Sequence, residues 1–407
     1  MTQTPLPSPS LLRLTGIPYF VIAFVARLPF AMMVVGVLTM VVSIRGSLSL
    51  GGLTSAAVGL GTALFGPLLG AAADRWGQRP VLLMCAALNA AMLAVFALVV
   101  YTPLADAVVL ASAFMIGATA PQVSPMSRSR LVTIIAERMP QAQRARTTSA
   151  TMSYESAADE TVFVFGPFLV GLLASFIAPW APIAIASALT LLFVGAFALH
   201  PTGRHVSVER DSDGRAPSDV SELFRPALLV VVVGIFGIGL FFGASLTALT
   251  SFMADRDAAE QAGLLYGVMG VGSAVLALGV AWLPPRFTLH ARWIAFAAVL
   301  VAGSLLFATA TSVITMIVAL ALVGIGVGPT IVTQYSLGAA RSPLGRSATV
   351  MTMLGSGVVV GQALAAAVTG AVADGPGTSV ALLLPLVAAS IVLIAGIVNR
   401  IISPRQH

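Results

Sequence analysis

Apolar residues run along this chain in stretches of roughly 20, each long enough to cross about 30 Å of hydrocarbon as a helix, and short polar breaks separate them. The pattern predicts twelve spans, over 16–43, 52–73, 80–101, 107–127, 147–176, 181–199, 226–252, 260–283, 292–310, 313–337, 346–372 and 379–399. The runs are continuously apolar and do not alternate every second residue, which argues against a membrane β-barrel. Turn chemistry marks several ends, as in Ala178-Pro179-Trp180-Ala181-Pro182, Leu283-Pro284-Pro285-Arg286 and Asp374-Gly375-Pro376-Gly377. The expected fold class is an all-α polytopic membrane protein. An even count puts both termini on one side.

Composition agrees with this pattern: of 407 residues, 58% are hydrophobic and only 9% charged, whereas soluble domains carry about 25% charge. The lone cysteine, Cys85, lies in an apolar run, so the chain offers neither a disulfide framework nor a cysteine metal site. The formal charge of +6 comes entirely from arginine, with no lysine. With the termini inside, eighteen of the twenty-one arginines fall in cytoplasmic segments, among them Arg75, Arg79, Arg128, Arg130 and Arg346. Only Arg45 and Arg256 fall outside, and Arg27 falls within a span. Insertion into a cell membrane thus explains the charge, and no nucleic-acid partner is expected. The Pro/Ser-rich start reads as a short retained cytoplasmic tail.

The longest hydrophilic break, 200–224, reads as a cytoplasmic linker between a six-helix unit over 1–199 and a second over 225–407. The units look alike. Gly117-Ala-Thr-Ala-Pro121 is echoed by Gly324-Ile-Gly-Val-Gly-Pro329, and the helices starting at Arg146 and Arg346 align at a constant offset.

After the second span comes Gly70-Ala-Ala-Ala-Asp74-Arg75-Trp-Gly77-Gln-Arg79-Pro80. It resembles the loop signature of the major facilitator superfamily. With twelve spans and a central linker, the resemblance covers nearly the whole chain, and it implies two pseudo-symmetric six-helix bundles with a substrate path between them. It further implies that Asp74 faces the cytoplasmic start of helix eleven, near Ser342-Pro343-Leu-Gly-Arg346, when the inner gate is shut. An acid is favoured at a helix N-terminus and beside an arginine. Gly166-Pro167-Phe-Leu-Val-Gly171 on helix five partly matches the Gly-Pro signature of drug and metabolite antiporters, which points to export and to a kink at the interface between the halves.

Of the fifteen acids, twelve sit in loops or at span ends, and the remaining three, Glu155, Asp159 and Glu160, lie inside helix five. From a start near residue 147, a rise of 1.5 Å per residue puts Glu155 roughly 12 Å and Asp159 roughly 18 Å along. Glu155 and Asp159 share a face; Glu160 is turned by about 100° from Asp159. Arg27 on helix one sits at a similar depth and reads as the only intramembrane cation. A charge at the bilayer centre costs about 2.5 to 3.5 kcal/mol, so Arg27 is expected to pair with Glu155 or Asp159. One acid would then stay ionised while a crowded neighbour carries the proton. Depth favours Asp159 as the carrier, then Glu155, then Glu160.

A proton entering down about 100 mV yields about 2.3 kcal/mol, enough for a substrate ratio of several tens. The expectation is a monomeric secondary transporter that exchanges a small organic substrate for protons, needs no cofactor or metal and is not an enzyme. A chain without lysine has no phosphate-binding P-loop, which excludes ATP-driven transport by this polypeptide. Phe30, Met33, Gln122, Gln334 and Gln362 are candidate cavity residues and suggest an apolar or amphipathic substrate. An importer on the same fold and a transport-inactive receptor stay open as alternatives.

Overall fold

The computed structural model describes residues 10–204, 218–258, 261–284 and 286–402. The start of the tail and most of the proposed linker, 205–217, lie outside the described residues. Among the described residues there are helices and no strand. Among the described residues twelve helices are long and apolar enough to cross a membrane. We name them α1 (Ile17–Arg45), α2 (Leu50–Trp76), α3 (Gln78–Tyr101), α4 (Asp106–Arg138), α5 (Gln141–Phe176), α6 (Ala181–Leu199), α7 (Pro226–Ala254), α8 (Ala262–Trp282), α9 (Leu289–Ala308), α10 (Val313–Ala340), α11 (Ser347–Asp374) and α12 (Thr378–Ile402). Twelve crossings leave the first and last described residues at one end of the bundle, called here the terminal end.

Two helices in the first half are interrupted, each next to a proline. Pro29 has no N–H to continue the ladder of α1, and the helix breaks at Ala26 and Arg27 before resuming at Leu28. In α4 the ladder stops at Ala118 and resumes at Val123, across Pro121. Between α2 and α3 the chain turns at Gly77, whose φ of +88° is a conformation that side chains with a Cβ rarely adopt.

One hydrophobic core lies in the second half and takes in Met152 of α5. Two more lie in the first half, one of them reaching Ala348. Small residues set the close approaches, as expected where lipid supplies no hydrophobic drive between helices. A Cβ on Gly117 of α4 would lie 1.9 Å from the Val58 carbonyl oxygen of α2, and one on Gly324 of α10 would lie 2.7 Å from that of Met269 of α8. The two echoing glycine segments therefore perform the same packing in each half.

Across the halves, α5 packs on α8 and α10, while α2 and α4 pack on α11. The α2–α11 seam is long. A Cβ on Gly70 would meet Thr352 Oγ1 at 2.1 Å and the Ala348 carbonyl oxygen at 2.8 Å, and one on Gly66 would meet Ser356 Oγ at 2.5 Å. At the terminal end of this seam Asp74 accepts the backbone N–H of Ala348 (2.9 Å) and of Thr349 (2.7 Å), together with the Thr349 hydroxyl (2.5 Å).

The structure corrects the extent of the fourth span. It continues to Arg138 where the hydropathy pattern ends it at 127. Arg128 and Arg130, read from sequence as cytoplasmic loop, are buried inside the helix, so Arg27 is not the only cation among the spans. Ser124, Ser127, Arg128 and Leu131 share a helical face, and this buried face satisfies the polar side chains that hydropathy scores against.

Candidate functional site

Arg27 emerges from the break in α1 and is almost fully buried. Its Nη2 pairs with Glu155 Oε2 on α5, and its Nε lies 3.5 Å from Asp159 Oδ1 one turn further along. The second cation comes from α4: Arg128 Nη2 contacts Asp159 Oδ2 at 2.8 Å, and Ser124 donates its hydroxyl to the same oxygen at 2.6 Å. Ser127 donates to Glu155 Oε1 at 3.0 Å and is 2.8 Å from the Tyr19 hydroxyl. Removing a buried partner from such a pair leaves an uncompensated charge, so the four groups stand or fall together.

This quartet of two arginines and two carboxylates balances in charge. It is tied to the second half by a cation–π contact, with the Arg128 guanidinium 4.0 Å from the centre of the Tyr335 ring on α10. Asp159 keeps about 20% of its side chain exposed, while Glu155 has none.

Glu160 stands apart from the quartet. Its Oε1 accepts a hydrogen bond from Ser273 of α8 at 2.6 Å, across the halves, and its Oε2 is buried without a hydrogen-bond partner. Among the described residues no cation pairs with it. The turn of about 100° between successive helical residues produces this split: Asp159 faces α1 and α4 inside its own half, and Glu160 faces the other half.

The remaining predicted residues are scattered. Phe30 meets Phe163 edge to face at 6.3 Å. Met33 is fully buried in the core of the first half. Gln122 is buried and donates to the Ala120 carbonyl. Gln334 is fully buried near Gly234 and Trp293, with neither amide atom hydrogen-bonded, and Gln362 is exposed. On helix five, Gly166 packs against Ala31 of α1 within the same half, Gly171 has open space, and α5 runs unbroken through Pro167. Around Asp74, Arg75 is exposed with its guanidinium over Trp76, Arg79 is partly exposed, and Arg346 donates to the Ser218 carbonyl at 3.1 Å instead of reaching Asp74.

Sequence reasoning missed Arg128, Ser124, Ser127 and Tyr335 as parts of the site. A usable signal existed for α4. No proline or glycine stands between Met126 and Met139, so a helix entered after Pro125 has nothing to stop it before Pro140.

Solved structures show the same architecture. The human organic anion transporter MFSD10 (TETRAN) superposes with a TM-score of 0.74 at 19% identity, covering 96% of this chain and 100% of that one. A bacterial homologue of the iron transporter ferroportin, in its outward-facing state, gives 0.73 at 14% identity over 94% and 98%. The E. coli fucose:proton symporter FucP gives 0.65 at 18% identity over 95% and 99%. At these identities the likeness is one of fold. A search of curated proteins finds no match. The Major Facilitator Superfamily model matches residues 19–366. By that match and by its twelve-helix transporter fold, the chain belongs to the Major Facilitator Superfamily.

Proposed function

We propose that this chain is a proton-coupled exporter of a small organic compound that works by alternating access, with Glu160 as the proton carrier. The observation that carries the reading is the contrast among three neighbouring acids. Glu155 and Asp159 each have an arginine, whereas Glu160 has only the Ser273 hydroxyl of the opposite half. An acid without a counter-ion among apolar helices is held neutral far more cheaply than ionised, and it ionises when the path opens to water or a substrate arrives. This order differs from the one that depth along the helix suggests.

Because Glu160 reaches across the interface, its protonation state acts on the contact that changes when the halves rock. In the cycle, substrate leaves on the outer side as a proton is taken up, the halves reorient, and the next substrate displaces the proton inward. Asp74 closes the terminal end by holding the start of α11 to α2. Arginine bias supports a cytoplasmic location for that end in a cell membrane, and the Gly166-Pro167 pair supports export as the direction. One chain supplies both halves of the site, so a monomer suffices.

The test is transport into proteoliposomes against a panel of drugs and metabolites, with internal pH recorded. In inside-out vesicles with an acidified lumen, wild-type protein accumulates substrate. Glu160→Gln still exchanges substrate but no longer responds to the gradient. Gradient-driven accumulation that survives this substitution removes Glu160 as the carrier, and uptake only under the opposite gradient reverses the direction.

A further inference from the structure

Arg130 is a second buried arginine of α4, and the quartet does not use it. Two residues beyond Arg128, it points about 200° around the helix, away from α5. Its Nε donates to Gln78 Oε1 at 3.1 Å and its Nη1 to the Phe197 carbonyl at 3.0 Å and Thr202 Oγ1 at 3.3 Å. Its guanidinium lies 4.0 Å from the centre of the Phe197 ring, and Nη2 has no hydrogen-bond partner. Among the described residues no carboxylate pairs with this fully buried cation. Neutral partners alone leave its charge uncompensated, which is costly in a low dielectric.

Beside it, at the terminal end, is a cavity of about 250 Å³ whose wall includes Thr15, Gly16, Ile134, Arg138, His200 and Thr202. Arg130, Ile134 and Arg138 follow one another at single-turn spacing on α4, with the last two on the wall. Thr202 links the buried cation to the cavity. Its hydroxyl accepts from Arg130 and is 2.9 Å from His200 Nδ1, which also accepts the Thr202 N–H. That leaves Nδ1 as the acceptor and Nε2 as the protonated nitrogen. Burial and the nearby Arg130 push the His200 imidazole below its ordinary value, which favours its neutral form. Among the described residues no acid lines the cavity. Exposed apolar residues lie close by in the chain: Leu12, Ile17 and Val21 on one side and Leu199 on the other.

We propose that this cavity binds a phosphate group, and that the phosphate is the headgroup of an anionic phospholipid. Arg138 and the His200 Nε2–H are its donors, Arg130 supplies the charge behind them, and the acyl chains run over Leu12, Ile17 and Val21. The apolar rim at the membrane surface favours lipid over a soluble anion. Cationic pockets at helix ends are where anionic headgroups gain most from electrostatics.

The experiment uses delipidated full-length protein in detergent, titrated with short-chain phosphatidylglycerol, short-chain phosphatidylcholine or inorganic phosphate, with adducts counted by native mass spectrometry. Wild-type protein is expected to prefer phosphatidylglycerol. Arg138→Gln should weaken that binding by about fivefold, the effect of one arginine near a headgroup. Leu14→Trp, which fills the cavity from its rim, should abolish it, and Arg400→Gln, at the same end but outside the cavity, should leave it intact. Thermal melts identify any variant that fails to fold. Equal binding of the two lipids, or wild-type binding by both cavity variants, overturns the proposal. Inorganic phosphate binding as tightly as the lipid overturns the lipid assignment.

Discussion

Asp74→Asn probes the closure of the terminal end with little change in shape. The carboxylate accepts two backbone N–H groups and one hydroxyl at the first turn of α11, where the helix dipole also favours negative charge. A carboxamide keeps one acceptor oxygen and turns an NH₂ group toward the remaining donors. With hydrogen bonds to charged groups at about 1.5–3 kcal/mol each, and allowing for overlap, the closed state should lose about 2–4 kcal/mol. That shifts the closed-to-open ratio by roughly 30- to 700-fold. The reporter is Ser356→Cys in a Cys85→Ser background, since Cys85 is the only cysteine. Ser356 is buried in the seam against Gly66, so a membrane-impermeant maleimide reaches it only when α2 and α11 part. Asp74→Asn should raise its labelling rate strongly. A rate within about twofold of the parent, in a protein that still melts cooperatively, would refute the assignment of Asp74 as the fastening of this seam.

The quartet and its link to the second half make further predictions. Arg27→Met leaves Glu155 buried without its partner and should cost about 3–5 kcal/mol, read as a large fall in melting temperature in detergent; Arg27→Met with Glu155→Leu should recover most of it. Failure of the double variant to recover would mean that Arg27 contributes more through Asp159 than through Glu155. Tyr335→Phe keeps the ring beneath Arg128 and should melt like wild type, whereas Tyr335→Leu should lose about 1–2 kcal/mol. Equal losses in the two variants would show that the hydroxyl matters and the ring does not.

The two arginine sites on α4 illustrate how side chains two positions apart take different work. Arg128 balances acids of α5 and touches α10, while Arg130 anchors the ends of α3 and α6 through Gln78 and the Phe197 carbonyl. Both are buried, and each must therefore carry its own set of partners, because hydrocarbon offers none.

Hydropathy by itself determined the twelve membrane helices, since the length needed to cross hydrocarbon and the cost of polar groups within it act on each segment separately. The local motif around Asp74 and the acids of α5 were also legible, because their oddity does not depend on neighbours. Pro29 and Pro121 were visible too, but not that the chain would break there, because prolines within helices are as often accommodated, as Pro67, Pro167 and Pro329 are here. Only the tertiary structure decided which charges meet. Arg128 lies 31 residues from Asp159, and Glu160 113 residues from Ser273; whether such groups touch depends on the rotation of each helix about its axis. That rotation is set by close glycine contacts summed over the whole bundle, a quantity that no single segment contains.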